Sequence, residues 1–212
     1  MMIQTWSRVA CLILLTTLLS ACAGLTKPAP EQQEVEHFYV IDVDRGIRDD
    51  AKAGSPILLL EPVKLTSQFR GKTLLFKLGE NEYQPQQGHD FFSTPEEMFT
   101  EQLQRWLEKT GIFSQVVTDK SVAADMVLQT AVTALYGDKR DAMTPQSVLE
   151  MQFFLLSEPS DAETAQTLFQ TGLRIDIDIE ETTPPKVVKG WQIGLKRLLV
   201  TIEDDLSDYF SE

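Results

Sequence analysis

TPEEMFTEQLQRWLEKTG, residues 94 to 111, carries a start signal, one apolar face and a stop. Thr94 suits an N-cap, Pro95 the first helical position, and Glu97 lies three residues after the cap. Together they occupy free backbone amides and complement the positive end of the helix dipole. Phe99, Leu103, Trp106 and Leu107 recur at spacings that share one side, and Gly111 offers a left-handed stop. This is an amphipathic helix, and its apolar side needs another layer to cover it.

That layer is legible on both sides of the helix. Phe113 to Val117 reads as a short strand, making a strand–helix–strand unit with Thr73 to Leu78. Three longer strands follow: Met126, Leu128, Val132, Ala134 and Tyr136 share one parity in the first, and Leu149, Met151, Phe153 and Leu155 in the second. In the third, Leu173, Ile175, Ile177 and Ile179 alternate with Arg174, Asp176, Asp178 and Glu180. Upstream, His37-Phe38-Tyr39-Val40-Ile41-Asp42-Val43 reads as an opening strand, and Ile57-Leu58-Leu59-Leu60 as one buried on both faces. Residues 45 to 56 read as a loop, as does the stretch around Tyr83, Phe91 and Phe92, with its Pro85, Gly88 and glutamines. After Pro184-Pro185, Val188, Trp191, Leu195, Leu198, Ile202, Leu206 and Tyr209 form a second helical stripe. The expectation is an α+β fold, a two-layer arrangement in which a mostly antiparallel sheet of about seven strands is packed by two amphipathic helices.

Ahead of this domain lies a different kind of sequence. Arg8 is the only charge before residue 27, and an apolar run from about Val9 to Leu19 follows it. The run is too short to span a hydrocarbon core, which needs about 20 apolar residues, so it reads as a secretory signal. It ends in Leu19-Ser20-Ala21-Cys22, the pattern of a bacterial lipobox. The Cys22 thiol can take a diacylglyceryl thioether, and cleavage then leaves Cys22 as the acylated first residue. Cys11 is discarded with the signal, so acylation also accounts for a single cysteine in an oxidising compartment. Ala23, in place of Asp, favours sorting to the outer membrane by the Gram-negative rule. Residues 1–21 are thus expected to be the signal and 22–36 the acylated Cys with a flexible tether. The 14 tether residues after Cys22 reach roughly 45 Å when extended. Residues 37–212 contain no second Pro/Gly-rich break and are expected to form a single domain.

Composition narrows the function. The chain carries 19 basic and 32 acidic residues, and losing Arg8 with the signal takes the net charge from −13 to −14. Such a charge opposes nucleic acid and anionic headgroups alike. The two histidines, His37 and His89, lie in no metal-ligand spacing. No GxSxG, Walker A or GxGxxG motif is present, so no catalytic, cofactor or metal residue is assigned. The Asp176, Asp178, Glu180 row could offer oxygen ligands, but alternate strand side chains stand almost 7 Å apart, which favours a solvated sheet face. His89-Asp90 lacks a nucleophile and reads as loop polarity, and Glu96, Glu97, Asp204 and Asp205 read as helix-surface acids. Tyr83, Phe91 and Phe92 have two readings, core packed under the first helix or an apolar contact site for a partner or an acyl chain.

The segment YQPQQGHDFFSTPEEMFTEQLQRWLEKTGIFSQVV, residues 83 to 117, with HFYVIDV at 37 and ILLLEPVKL at 57, resembles the ABC-type transport auxiliary lipoprotein family, the PqiC/YmbA-like group. Met98, Leu103, Trp106, Leu107, Gly111, Phe113 and Val116 occupy the matching places. Phe91-Phe92 stand where that family has an aromatic run, without its usual Trp. The resemblance implies a non-enzymatic, periplasm-facing lipoprotein that works with an ABC permease and ATPase and an MCE-domain protein. Such systems carry phospholipid between inner and outer membranes, and a homo-oligomeric ring is an expectation of the same kind. The alternative is an assembly or escort lipoprotein for an outer-membrane β-barrel.

Overall fold

The computed structural model describes residues 35–157 and 165–211, and from Glu36 onward they form one compact unit. The first helix, α1 (Pro95–Leu107), starts as its sequence dictates. Thr94 Oγ1 accepts from the Glu97 amide at 3.3 Å, and the Glu97 carboxylate accepts from the Thr94 amide at 3.2 Å. Its buried face holds Met98, Phe99, Leu103, Trp106 and Leu107, together with Gln102. Gln102 is buried because its Oε1 accepts from the Val43 amide at 2.9 Å, which straps to the helix an extended stretch that lies beyond the opening strand, since that strand ends at Tyr39 and does not run on to Val43 as expected.

The sheet is built around one long strand, β7 (Met126–Asp138). Along one side β7 pairs antiparallel with β8 (Gln146–Ser157), and β8 in turn with β9 (Thr167–Asp178). Three short parallel strands share its other side in succession: β2 (Ile57–Leu60), β3 (Lys64–Leu65) and β4 (Thr73–Lys77). A short 3-10 turn, Ser67–Phe69, separates the last two. Outside β2 lies β6 (Gln115–Val117); outside β4 lies β5 (Tyr83–Phe91), and beyond that β1 (His37–Tyr39).

The α+β class is as expected, with four corrections inside it. The sheet has nine strands, the two additional ones being β3 and β5, and it is mixed, because the short pairings around β2, β3, β4 and β1 are parallel. The strand before α1 is β5, and β6 after it pairs with β2, so the expected unit with Thr73–Leu78 does not form. The loop reading of residues 83 to 91 is also replaced. Gly88 adopts φ +73°, and the β4–β5 register shifts between Thr73 and Leu75. Pro and Gly there mark an irregular ladder near the sheet margin, where a missing N–H and a positive φ are tolerated.

The second helix, α2 (Pro184–Tyr209), covers β8 and β9. Val187, Val188, Trp191, Leu195, Leu198, Leu199, Ile202 and Leu206 are buried with the apolar face of α1 in one core containing Leu149, Met151, Phe153 and Leu155. Leu58 and Leu60 join that core, while Leu59 packs with Val117 and Val127 in a small second cluster, so β2 is buried on both faces. Trp106 Nε1 donates to the Glu203 carboxylate at 2.8 Å, linking the helices. Glu203 also accepts two bonds from Arg45 Nε at 3.0 Å and one from Arg45 Nη2 at 2.6 Å, which ties in the loop after the opening strand.

Candidate functional site

The three aromatics singled out in the sequence occupy three different environments. Tyr83, at the start of β5, stands edge-on to Phe69 and Tyr136, with ring centroids at 5.9 and 5.6 Å. The Lys77 ammonium sits 5.4 Å from the Tyr83 centroid and 5.2 Å from that of Tyr136, within cation–π range. Phe91, at the other end of β5, is 2% exposed and packs 5.6 Å from Trp191 of α2. Phe92 is 70% exposed.

Strand pairing explains this divergence. In the parallel ladder His37 pairs with His89, Phe38 with Asp90 and Tyr39 with Phe91. Side chains alternate across a strand, so His37, His89, Tyr39 and Phe91 point toward the helix layer, while Phe38, Asp90 and Phe92 point away. On the inner face, the imidazoles of His37 and His89 stack at 4.9 Å with planes 8° apart, and His89 Nδ1 lies 2.8 Å from the Tyr39 hydroxyl. Burial pushes the Tyr39 phenol above its ordinary pKa. On the outer face, Phe38 is 55% exposed and meets Phe92 edge to face at 6.4 Å and 88°.

Both rings rest on a fixed backbone. The Phe92 amide donates to the Tyr39 carbonyl at 2.9 Å, the Phe91 amide donates to the Lys72 carbonyl at 2.7 Å, and Lys72 Nζ donates to the Phe92 carbonyl at 3.2 Å. Val40, next on the outer parity, is 50% exposed. One oxygen of the Asp90 carboxylate is buried with no hydrogen-bond partner. Phe38 was missed as a site residue, although its parity could have disclosed it. Ile41 and Val43 share the phase of Tyr39 and are buried, which leaves Phe38 and Val40 facing outward.

The acidic row on β9 behaves as a surface. Asp176 pairs with Arg174 at 3.0 Å, Asp178 accepts from Gln146 Nε2 at 2.8 Å, and the carboxylate of Glu180, just past the strand, pairs with Lys186 at 2.6 Å. The Lys186 ammonium holds the Glu180 carboxyl below its ordinary pKa. Among the described residues no three His, Cys, Asp or Glu side chains converge into a metal site, and no helix is long and apolar enough to cross a membrane. Cys22, the expected lipid attachment point, lies outside the described residues.

These features define an α+β domain with a helix-covered sheet face and an exposed aromatic pair where the chain enters the fold. The chain belongs to a family of ABC-type transport auxiliary lipoprotein components, whose model matches residues 39–203. The match runs from Tyr39 on β1 to Glu203 on α2, so it includes Phe92 and stops one residue short of Phe38. No curated protein matches the chain. Among solved structures, an uncharacterized protein with 12% identity superposes with a TM-score of 0.63 over 81% of this chain and 99% of its own. A protein from Xanthomonas campestris with 15% identity gives 0.62 over 78% and 92%. A hypothetical protein from Chlamydia trachomatis with 9% identity gives 0.51 over 74% and 98%. At such identities the likeness is one of fold.

Proposed function

We propose that this protein is the lipid-anchored auxiliary component of an ABC transport system that moves phospholipid or another lipid between inner and outer membranes. The observation that carries this reading is the family match across residues 39–203, which spans α1, most of α2 and nearly all of the sheet. The lipobox at Leu19-Ser20-Ala21-Cys22 and the Ala at position 23 support attachment to the outer membrane, facing the periplasm. Two or three acyl chains hold a protein where one binds only marginally. Its partners in this reading are the permease and ATPase of the transporter and an MCE-domain protein, with further copies of the chain forming a homo-oligomeric ring. The protein's task is to hold and position, and it carries out no chemical step.

Deletion of the gene tests the proposal. Loss of outer-membrane lipid asymmetry and of detergent resistance, with recovery of permease, ATPase and MCE proteins on the affinity-purified lipoprotein, is the expected result. Intact asymmetry together with a stable complex containing a single β-barrel protein would favour the escort role instead.

A further inference from the structure

The chain buries Phe69, Phe76, Phe91, Phe99, Phe113 and Phe153 to 5% exposure or less, yet leaves Phe38 and Phe92 more than half exposed and touching each other. Ile47 and Met143 are more exposed still, at 85% and 88%, but each is a lone aliphatic side chain followed directly by a charged or polar residue, Arg48 and Thr144. We propose that the Phe38–Phe92 pair, with Val40 beside it and Lys72 at its rim, rests in the headgroup region of the bilayer that holds the protein. This inference rests on the anchoring at Cys22 proposed above.

Position is the first argument. Phe38 lies on β1, the first strand after the tether, 16 residues from Cys22. For a chain of 14 residues with linker composition, polymer statistics give a root-mean-square span of about 20 Å, well short of its extended reach. The surface where the tether enters is therefore held close to the lipid, at high effective concentration, and a weak contact there suffices to orient the domain.

Chemistry is the second. Aromatic rings with a neighbouring lysine suit a membrane interface, where apolar surface meets phosphate oxygens. The Lys72 ammonium already lies 3.2 Å from the Phe92 carbonyl, at the edge of the patch. The net charge of −14 after signal removal keeps acidic surfaces away from anionic lipid, which leaves the apolar surface of Phe38, Phe92 and Val40 as the favoured point of approach, with Lys72 at its edge and one Asp90 carboxylate oxygen buried on the same face. Preorganisation is the third argument. Both aromatics sit on hydrogen-bonded backbone, so docking orders little that is not already ordered.

The test uses the mature acylated protein in vesicles of phosphatidylethanolamine and phosphatidylglycerol. Acylation blocks Cys22, so Val40→Cys or Met143→Cys accepts a single spin label. With Phe38 and Phe92 intact, the label at position 40 is expected to become accessible to oxygen and shielded from a polar nickel complex, while the label at 143 stays in water. Replacing both aromatics with Ser should abolish the signal at position 40 while the protein still floats with the vesicles. Equal water exposure at 40 and 143 in protein that floats overturns the contact and leaves the anchoring intact. Shielding from nickel without a gain in oxygen access marks a protein neighbour instead of lipid and also overturns it. Protein that fails to float overturns the anchoring and the contact together.

Discussion

Gly190 of α2 lies against Ser147 of β8 so closely that a Cβ added at Gly190 would stand 2.2 Å from Ser147 Oγ and 2.5 Å from Ser147 Cβ. The serine hydroxyl donates to the Val187 carbonyl at 2.9 Å, so strand and helix are fixed to each other at the point of closest approach. Neither can yield without disturbing Val187 and Trp191, both almost fully buried beside it. Gly190→Ala should therefore destabilise the domain by on the order of 2 kcal/mol, an overpacking cost.

Gly194, one turn later, supplies the contrast. A Cβ there meets Ile177 and Ile175 at 3.6 and 3.7 Å, ordinary contact distances. Gly194→Ala gains helix propensity of up to about 1 kcal/mol and should be neutral or stabilising. Urea unfolding of the two variants separates the cases. Equal midpoints would show that α2 is not seated on Ser147 as described.

Glu203 accepts from both Trp106 and Arg45, with its side chain only 18% exposed and that of Arg45 16% exposed. Bonding to Glu203, against the opposing effect of burial, raises the pKa of the Arg45 guanidinium. Glu203→Ala leaves a buried indole N–H and a half-buried cation without their acceptor, a loss of about 1–3 kcal/mol. Glu203→Gln keeps an acceptor for the indole and should lose less. Chemical denaturation ranks the two, and a Gln variant as damaged as the Ala variant would assign the loss to the charge pair with Arg45.

The helices and the three long strands were legible because each repeats one rule over many residues: the capping box and apolar stripe of α1, the stripe of α2, and the alternation on β9. The missing strands failed for physical reasons. β3 is two residues long and pairs only through β7, so it has no period to read. β5 carries Pro85 and Gly88, which mark a loop and an irregular strand alike. Parallel pairing left no local trace either. His37 and His89 lie more than 50 residues apart, and only the β1–β5 register brings their rings together. For the same reason Phe92 was legible as an aromatic and Phe38 was not legible as its neighbour.

Asp138, at the end of β7, gives the fold an acid-sensitive joint. Its side chain is 9% exposed and binds Arg140 Nη2 at 2.6 Å and Nε at 3.0 Å. Burial alone would raise its carboxyl pKa; the bonds from Arg140 outweigh burial, and the pKa lies below its ordinary value. With the folded pKa below the unfolded one, near 3.9, the group contributes stability fully above that unfolded value. The contribution disappears as pH falls through the lower folded pKa. The melting temperature of Asp138→Asn should therefore lie below that of the unaltered protein at neutral pH and converge with it on acidification below about pH 4. A constant gap across that range would remove Asp138 from the acid response.

The anchor can be separated from the fold. Cys22→Ser removes the one thiol that a lipobox can acylate, and it lies in a stretch of sequence apart from the core built on Trp191, Phe153 and Leu103. The variant should keep the circular dichroism and unfolding midpoint of the acylated protein's domain, because every buried contact described above lies beyond residue 36. In cells it should fail to float with membranes and fail to restore lipid asymmetry to a deletion strain, since about 0.8 kcal/mol is lost for each acyl CH2 no longer buried. Complementation at normal level by the soluble variant would mean that holding the domain at a membrane is no part of its work. The proposed contact of Phe38 and Phe92 with lipid would then lose the proximity on which it depends.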